Sequence, residues 1–329
     1  MKLRTEIILP DSNFKIEHYN KTLTIGSCFA ENISDYFRSY RFNILSNPFG
    51  VLYNPQSILN SLKLVYENKT FKQDDLFFHN GEWHSFFHHS DFSHHEPEVC
   101  INTINKGIED IRLFLPKCGV AVITYGTAYV YGHKEKGIVV SNCHKLPASQ
   151  FVKYRLSIRK SYEIINETIK LLKKFNNNIH IILTVSPVRH WQDGPVENQL
   201  SKSTLLLAVN DIAGGVENCS YFPSYEIMMD DLRDYRFYDI DLFHPNAAAI
   251  EYIWEKFSEC YLSHECRNIM EETIKIDNAR RHRVRNKYSA AHMKFIQGQI
   301  EHIKYLLDKY PHLELNDDLE YFIRQKEKE

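Results

Sequence analysis

Two short stretches of the chain carry residue types that together could attack a carbonyl. In the first, the apolar run Lys21-Thr22-Leu23-Thr24-Ile25 leads into Gly26-Ser27-Cys28-Phe29-Ala30 and then into the helix-like Glu31–Phe37. A strand that turns sharply into a helix presents its turn residue at the end of a parallel sheet, beside fresh helix N–H groups. Such a turn needs small residues two positions either side of the presented side chain. Centred on Cys28, those positions are Gly26 and Ala30; centred on Ser27, they are Ile25 and Phe29, which are bulky. The sterics favour Cys28, with Ser27 as the alternative nucleophile. In the second stretch, Asp241-Leu242-Phe243-His244-Pro245-Asn246 precedes a helical pattern. An Asp three residues before a His can hold one ring nitrogen through a turn, fix the tautomer and leave the other nitrogen as a general base. Asn246 suits the N-cap of the helix that follows. The chemistry expected is attack of Cys28 on an ester or thioester carbonyl, with His244, oriented by Asp241, taking the proton.

Other candidates line the expected cleft. Arg189 and His190 follow an apolar run and would stand on the same rim as Cys28. Arg189 would bind a substrate carboxylate or phosphate, or pair with an acid of the 230–241 segment. His144 and Lys145 follow the short run Ile138–Val140 and would line the cleft as well. Residues 79–95 hold six histidines: His79, His84, His88, His89, His94 and His95. Imidazoles suit zinc or copper. No Cys-x-x-Cys or His-Glu-x-x-His spacing accompanies these six, and Trp83, Phe86, Phe87 and Phe92 interleave them, so a lid or cleft wall is expected rather than a metal site. No phosphate-cradling glycine loop or dinucleotide fingerprint is present, and no cofactor is expected.

The elements that must position these residues read as an α/β chain. Continuous apolar runs of strand length occur at 21–25, 42–45, 119–125, 179–185 and 219–222, as strands covered on both faces require. Helical patterns lie at Pro55–Glu67, Thr103–Leu115, Val152–Phe175, Leu200–Ala213 and Asn246–Leu262. Alternating strands and helices predict a doubly wound parallel sheet. Residues 1–262 are expected to form this α/β domain, with a histidine-rich insertion near 77–97. Residues 263–329 are expected to form a charged helical extension, with a helix around His292–Tyr310 and the arginine run of 280–285 as a solvated face. The chain has 329 residues, is 43% hydrophobic and carries a net charge of -2, which calls for neither nucleic acid nor an anionic membrane as partner. No run approaches the roughly 18 apolar residues of a membrane span, and nothing near the start resembles a signal peptide. Seven scattered cysteines argue against a disulfide framework and for a cytoplasmic setting. Aromatic content of 13% fits core packing and is compatible with a carbohydrate-lined or acyl-lined cleft.

Gly26–Ile33 resembles the signature of the GSCFA family. The stretches Asn47–Pro55, Gly126–Tyr131, Asn142–Lys145, Ser186–His190, Asp230–Tyr238 and Asp241–Asn246 are similar to it too, so the resemblance covers roughly residues 1–262. That family resembles the SGNH (GDSL) hydrolases, esterases, acetylhydrolases and some acyltransferases. The resemblance implies a five-stranded parallel α/β fold in flavodoxin-like strand order and an acyl hydrolase acting on an ester of a small or glycan substrate. Two alternatives stay open: transfer of the acyl group to a glycan or other hydroxyl acceptor, and a catalytically inactive glycan-binding or scaffold module. The resemblance again places the nucleophile at Cys28, with Asp241 and His244 as the pair that activates it. It implies Gly50 as an oxyanion donor through its N–H. The third-block Asn of those hydrolases falls on Ala128, which leaves Asn142 or Thr127 as substitutes.

Overall fold

A computed structural model of the chain describes residues 5–282 and 289–327. The first half of the α/β unit runs β1 (Lys21–Gly26), α1 (Cys28–Ser39), β2 (Ile44–Ser46), α2 (Pro55–Tyr66), β3 (Phe77–His79), β4 (Glu82–His84), α3 (Pro97–Phe114) and β5 (Cys118–Tyr125). It continues with β6 (Tyr129–His133), β7 (Ile138–Val140), β8 (Phe151–Arg155), α4 (Ile158–Phe175), β9 (His180–Val185), α5 (Gly194–Ala213), β10 (Cys219–Phe222), the single turn α6 (Ser224–Glu226) and α7 (Ala247–Tyr261). Three helices follow: α8 (His264–Arg281), α9 (Ala290–Lys309) and α10 (Asn316–Glu327).

The main sheet has five parallel strands in the order β2-β1-β5-β9-β10. From β1 the chain winds outward to β2, then returns to the other side of β1 as β5. The winding therefore reverses between β1 and β5, and the carboxyl ends of these strands form the crevice where such sheets bind ligands. Register aligns Gly26 with Thr124 and Thr124 with Thr184, so β1, β5 and β9 all end at one edge. Alternate side chains face opposite layers. Leu23, Ile25, Ala121, Ile123, Ile181 and Leu183 pack against Ile58 and Leu62 of α2, Ile165 and Leu172 of α4 and Leu205 of α5. Val120, Val122 and Ile182 pack against Phe29, Ile33 and Phe37 of α1 and Ile253, Trp254 and Phe257 of α7. Each fully buried aliphatic or aromatic side chain contributes about 1.5–3 kcal/mol relative to exposure. The first turn of α1 is thus anchored by Phe29 to one of the two cores.

Two small antiparallel sheets lie outside this frame. β3 and β4 form a hairpin within the histidine-rich insertion, and β7-β6-β8 form a three-stranded sheet. The second corrects the expected helix over Val152–Phe175. Residues 151–155 pair with β6, Ser157 caps the next turn by accepting from Lys160 N (3.1 Å), and the helix starts at Ile158. The strand was hidden because it abuts a strongly amphipathic helix with only two residues between. Two other helices start earlier than expected, at Pro97 and Gly194, with Pro97 and Pro195 in their first turns.

The last three helices bury a cluster of their own, including Ile276, Ile296, Ile303, Leu306 and Phe322. Arg41, just beyond α1, donates to Asp277 of α8 (2.6 Å) and lies 3.4 Å from Asp318 of α10, which also accepts from Arg280 (2.5 Å). Residues 283–285 of the arginine run lie outside the described residues. No helix among the described residues is long and apolar enough to cross a membrane.

Candidate active site

The turn after β1 is fixed by backbone sterics. Gly26 has φ +142°, and a Cβ there would lie 2.1 Å from Thr124 O, so only glycine fits. Its N–H donates to Asn47 Oδ1 (2.9 Å) and its carbonyl accepts from Leu52 N (2.9 Å). Ser27 is the N-cap of α1, with extended backbone; its hydroxyl makes no cap bond and is buried without a partner among the described residues. Cys28 is the first residue of the helix and is half-buried. Burial and, next, the charge of Glu31 raise its thiol above the usual value. The Phe29 and Cys28 N–H groups and the charge of Lys202 pull the other way without winning. The stabilisation expected from the helix N-terminus is present, but desolvation outweighs it.

Lys202, which was not among the expected site residues, is fully buried beneath this turn. Its Nζ donates to Gly126 O (2.8 Å) and Ser186 O (2.6 Å), the carbonyls just past the ends of β5 and β9. Burial brings its pKa down to about 7, opposed by the Cys28 thiolate. A signal was available: Lys202 sits on the stripe of α5 that continues through Leu205, Val209 and Ile212, where a lysine needs a special reason to be.

Gly126 brings three groups close. A Cβ on it would lie 3.2 Å from His190 Nε2, 3.2 Å from Tyr53 O and 3.4 Å from Ser27 Cβ. Tyr53 O accepts from both Gly126 N (2.8 Å) and Thr127 N (2.9 Å), which folds the β2–α2 loop over the crevice. The Tyr53 ring meets that of His190 edge-on at 5.4 Å, and the Cys28 thiolate contributes to raising the Tyr53 phenol, after burial. His190 is held at its N–H by Asn198 Oδ1 (2.9 Å). Its pKa falls to about 4, through burial first, then the charges of Lys202 and His244. Ser27, Cys28, Tyr53, Gly126, His190 and Lys202 thus share one crevice.

The Asp241–His244 pair forms as a local turn. Asp241 Oδ2 meets His244 Nδ1 at 2.5 Å, and Oδ1 accepts from Phe243 N (2.9 Å) and His244 N (3.0 Å). These backbone bonds, then the imidazole, bring the Asp241 carboxyl down to about 2. Leu242 takes φ +62° to close the turn, and Asn246 caps α7 by accepting from Ala249 N (3.1 Å). The loop docks on the end of β9: Arg189 N donates to Phe243 O (3.3 Å) and Trp191 stacks on Phe243 at 5.3 Å. No hydrogen bond joins Cys28 to His244 among the described residues.

The residues expected to hold an oxyanion are engaged elsewhere. Gly50 N–H closes a turn on Asn47 O (2.7 Å). Thr127 N–H is on Tyr53 O and its hydroxyl on Ser201 Oγ (3.0 Å). Asn142 Oδ1 accepts from His144 N (2.8 Å), and His144 Nε2 bonds Ser85 O (2.8 Å) with its ring 4.5 Å from that of His84. Asn142, His144 and the adjoining Lys145 therefore belong with the histidine-rich insertion; no described hydrogen bond or ring contact ties them to Cys28, His190 or His244. Within the insertion His84 bonds Ser93 Oγ (2.6 Å) and His79 O (3.0 Å), and His88 bonds Ser85 Oγ (2.9 Å). No three His, Cys, Asp or Glu side chains converge as metal donors among the described residues.

The family described as "GSCFA family" matches residues 21–257, and "GSCFA domain protein, C-terminal domain" matches residues 274–328. No curated protein matches the chain. Among solved structures, a similar chain is an acetyl xylan esterase (Est2A) from the rumen bacterium Butyrivibrio proteoclasticus. It is 12% identical, with 74% of this chain and 63% of that chain covered, at a TM-score of 0.35. The chain thus spans less than two thirds of that protein's length.

Proposed function

The chain belongs to the GSCFA family, and from the geometry of its crevice we propose that it is an acyl hydrolase acting on an ester, with Cys28 as nucleophile. The observation that carries this reading is the position of Cys28. It opens a helix at the switch point of the sheet, its thiol faces the Phe29 and Cys28 N–H groups, and a buried ammonium lies beneath it. The contrast with Ser27 supports the choice, since Ser27 is only 1% exposed while Cys28 reaches the crevice.

In the proposed cycle His244, held by Asp241, takes the Cys28 proton. The thiolate attacks the ester carbonyl, and the oxyanion is received by the N–H groups of Cys28 and Phe29, in place of the engaged Gly50 and Thr127. His244 returns the proton to the leaving alcohol oxygen, which leaves a thioester on Cys28. Water, deprotonated by His244, attacks the thioester and releases the carboxylic acid and the thiol. A hydroxyl acceptor in place of water makes the same site an acyltransferase, so the two reactions differ only in the second nucleophile.

Incubation with activated acetate esters followed by intact mass spectrometry tests the scheme. An added acetyl group on Cys28 that is absent in Cys28→Ala and accumulates in His244→Ala is the expected result. Full ester turnover by Cys28→Ala would sink it.

A further inference from the structure

Arg189 stands at the crevice without a counter-charge. Its guanidinium lies 4.7 Å from the centre of the Trp191 ring, and its Nε is buried with no hydrogen-bond partner. The carboxylates of the neighbouring elements are all engaged with other groups. Asp193 pairs with Lys153, Glu197 accepts from Tyr129, Glu226 from Tyr221, Asp230 from Arg233, Asp231 from Ile7 N and Tyr252, Asp234 from Arg236 N, Asp239 from Ile240 N, and Asp241 holds His244. The salt bridge to the 230–241 segment that the sequence allowed is therefore not formed. Lys202 adds a second cation with no acid bonded to it, since both its hydrogen bonds go to carbonyls. In the same wall, Asn198 is 2% exposed; its Oδ1 holds His190 N, while its Nδ2 has no partner.

A half-buried guanidinium whose Nε is buried without a hydrogen-bond partner and which has no acid paired to it is costly to keep, and its planar fork matches a carboxylate or a phosphate. We infer that Arg189 is the anchor of an anion-binding subsite and that the substrate carries a carboxylate or phosphate on its alcohol half. The assignment to the alcohol half rests on the acyl-transfer reading above. Arg189 N bonds Phe243 O, next to His244, and His244 is the group that handles the leaving or entering hydroxyl. The anion therefore sits on the side of the alcohol, and the acyl chain on the side of Cys28 and Tyr53.

Binding tests the subsite without relying on turnover. Glycolate and glycerol 3-phosphate, with glycolamide and glycerol as neutral controls, are titrated calorimetrically into the wild-type protein at constant ionic strength. One of the two anions saturates at millimolar concentration while the neutral alcohols do not, and the better of them tells carboxylate from phosphate. Arg189→Gln weakens that anion at least tenfold, and Arg189→Lys weakens it less. Phenylglyoxal modification of the wild-type protein, mapped by mass spectrometry, slows at Arg189 when the anion is present, which keeps the test open if a variant misfolds. Equal binding of charged and neutral alcohols, unchanged affinity in a folded Arg189→Gln, or unslowed modification overturns the proposal. Turnover of acetylated glycolate and acetylated glycolamide separates the two readings. Anion binding through Arg189 with no ester cleaved keeps the subsite and removes the acyl chemistry. Cleavage of both esters at one rate, independent of Arg189, does the reverse.

Discussion

A thiol buried beside a carboxylate resists ionisation, and Cys28 is held in that state by its surroundings and by Glu31. At neutral pH it rests as the thiol, so its reaction with iodoacetamide rises steadily into the alkaline range. Glu31→Gln removes the second-largest cause of the raised value. The expected outcome is a several-fold faster alkylation of Cys28 at pH 7.5, read by peptide mass spectrometry; an unchanged or slower rate contradicts the assignment. Lys202 supplies the opposing field, and Lys202→Met is expected to lower ester turnover by roughly 100-fold, the scale of losing one preorganised electrostatic group. The same lysine has a stability signature. Its folded pKa of about 7 lies below the about 10.4 of an open chain, so between these values the unfolded chain binds the extra proton. The wild type therefore gains stability relative to Lys202→Met as pH rises from 7 to 9, which urea melts at the two pH values would register. What was legible at this scale was local: the small residues around Cys28 and the three-residue spacing of Asp241 and His244. The seating of Lys202 between Gly126 and Ser186 depends on where α5 crosses two strands, and no local pattern encodes that.

The elements were legible where their faces are uniform. The strands of the main sheet, whose order came from the family resemblance, stood out as short, largely apolar runs, most clearly β5 and β9, which are buried along nearly their whole length. The β6–β8 sheet did not, because Val152 and Tyr154 face solvent while Phe151 is buried; five residues of mixed exposure before a helix read as more helix. The hydrogen bonds of the expected oxyanion donors were not legible for a related reason. The Gly50 N–H closes a turn on Asn47 O and the Thr127 N–H bridges to Tyr53 O in another loop, and a short sequence motif does not encode which backbone donors such loop contacts use. Gly126 is where three of these loops meet. A methyl group there presses on His190, on Tyr53 O and on Ser27. Gly126→Ala is expected to cost about 1–3 kcal/mol, as for overpacking elsewhere, and to impair turnover beyond what the loss of folded protein explains. Urea unfolding alongside activity per folded molecule checks both.

Across the whole molecule, burial lowers the pKa of six histidines among the described residues, His312 being one of them. His18, His144, His180 and His190 have pKa values pushed down to about 4, and His88 to about 3. An open chain takes up a proton on each near pH 6.5, which the fold refuses until these lower values. The contribution of these histidines to stability should therefore be full above pH 6.5 and fall steeply towards pH 4, by up to about 1.4 kcal/mol per pH unit for each one. Urea midpoints between pH 7 and 4.5 measure the slope, and a flat profile would mean the imidazoles are solvated. The C-terminal helices hang on a second electrostatic feature. Asp318 is 2% exposed, with Arg280 at 2.5 Å and Arg41 at 3.4 Å, and Arg41 also bonds Asp277, so Arg41→Met leaves Asp318 paired with Arg280 but cuts the link from α1 to α8 and α10. The expected loss is about 1.5–3 kcal/mol, the scale of a hydrogen bond to a charged group, seen as early proteolytic release of residues beyond 263.

Arg41 also lies one residue past the C-cap of α1, and Cys28 begins that helix. Twelve residues make a rigid strut of about 18 Å, with the Cys28 sulfur at one end and the grip of the last three helices at the other. If the strut pivoted by about five degrees at the Arg41 end, the sulfur would swing by about 1.5 Å, more than the roughly 1 Å misplacement that can cost a hundredfold in rate. The C-terminal helices, remote from the crevice in sequence, are in mechanical terms a clamp on the far end of the helix that carries the proposed nucleophile, whose near end Phe29 fixes in the core.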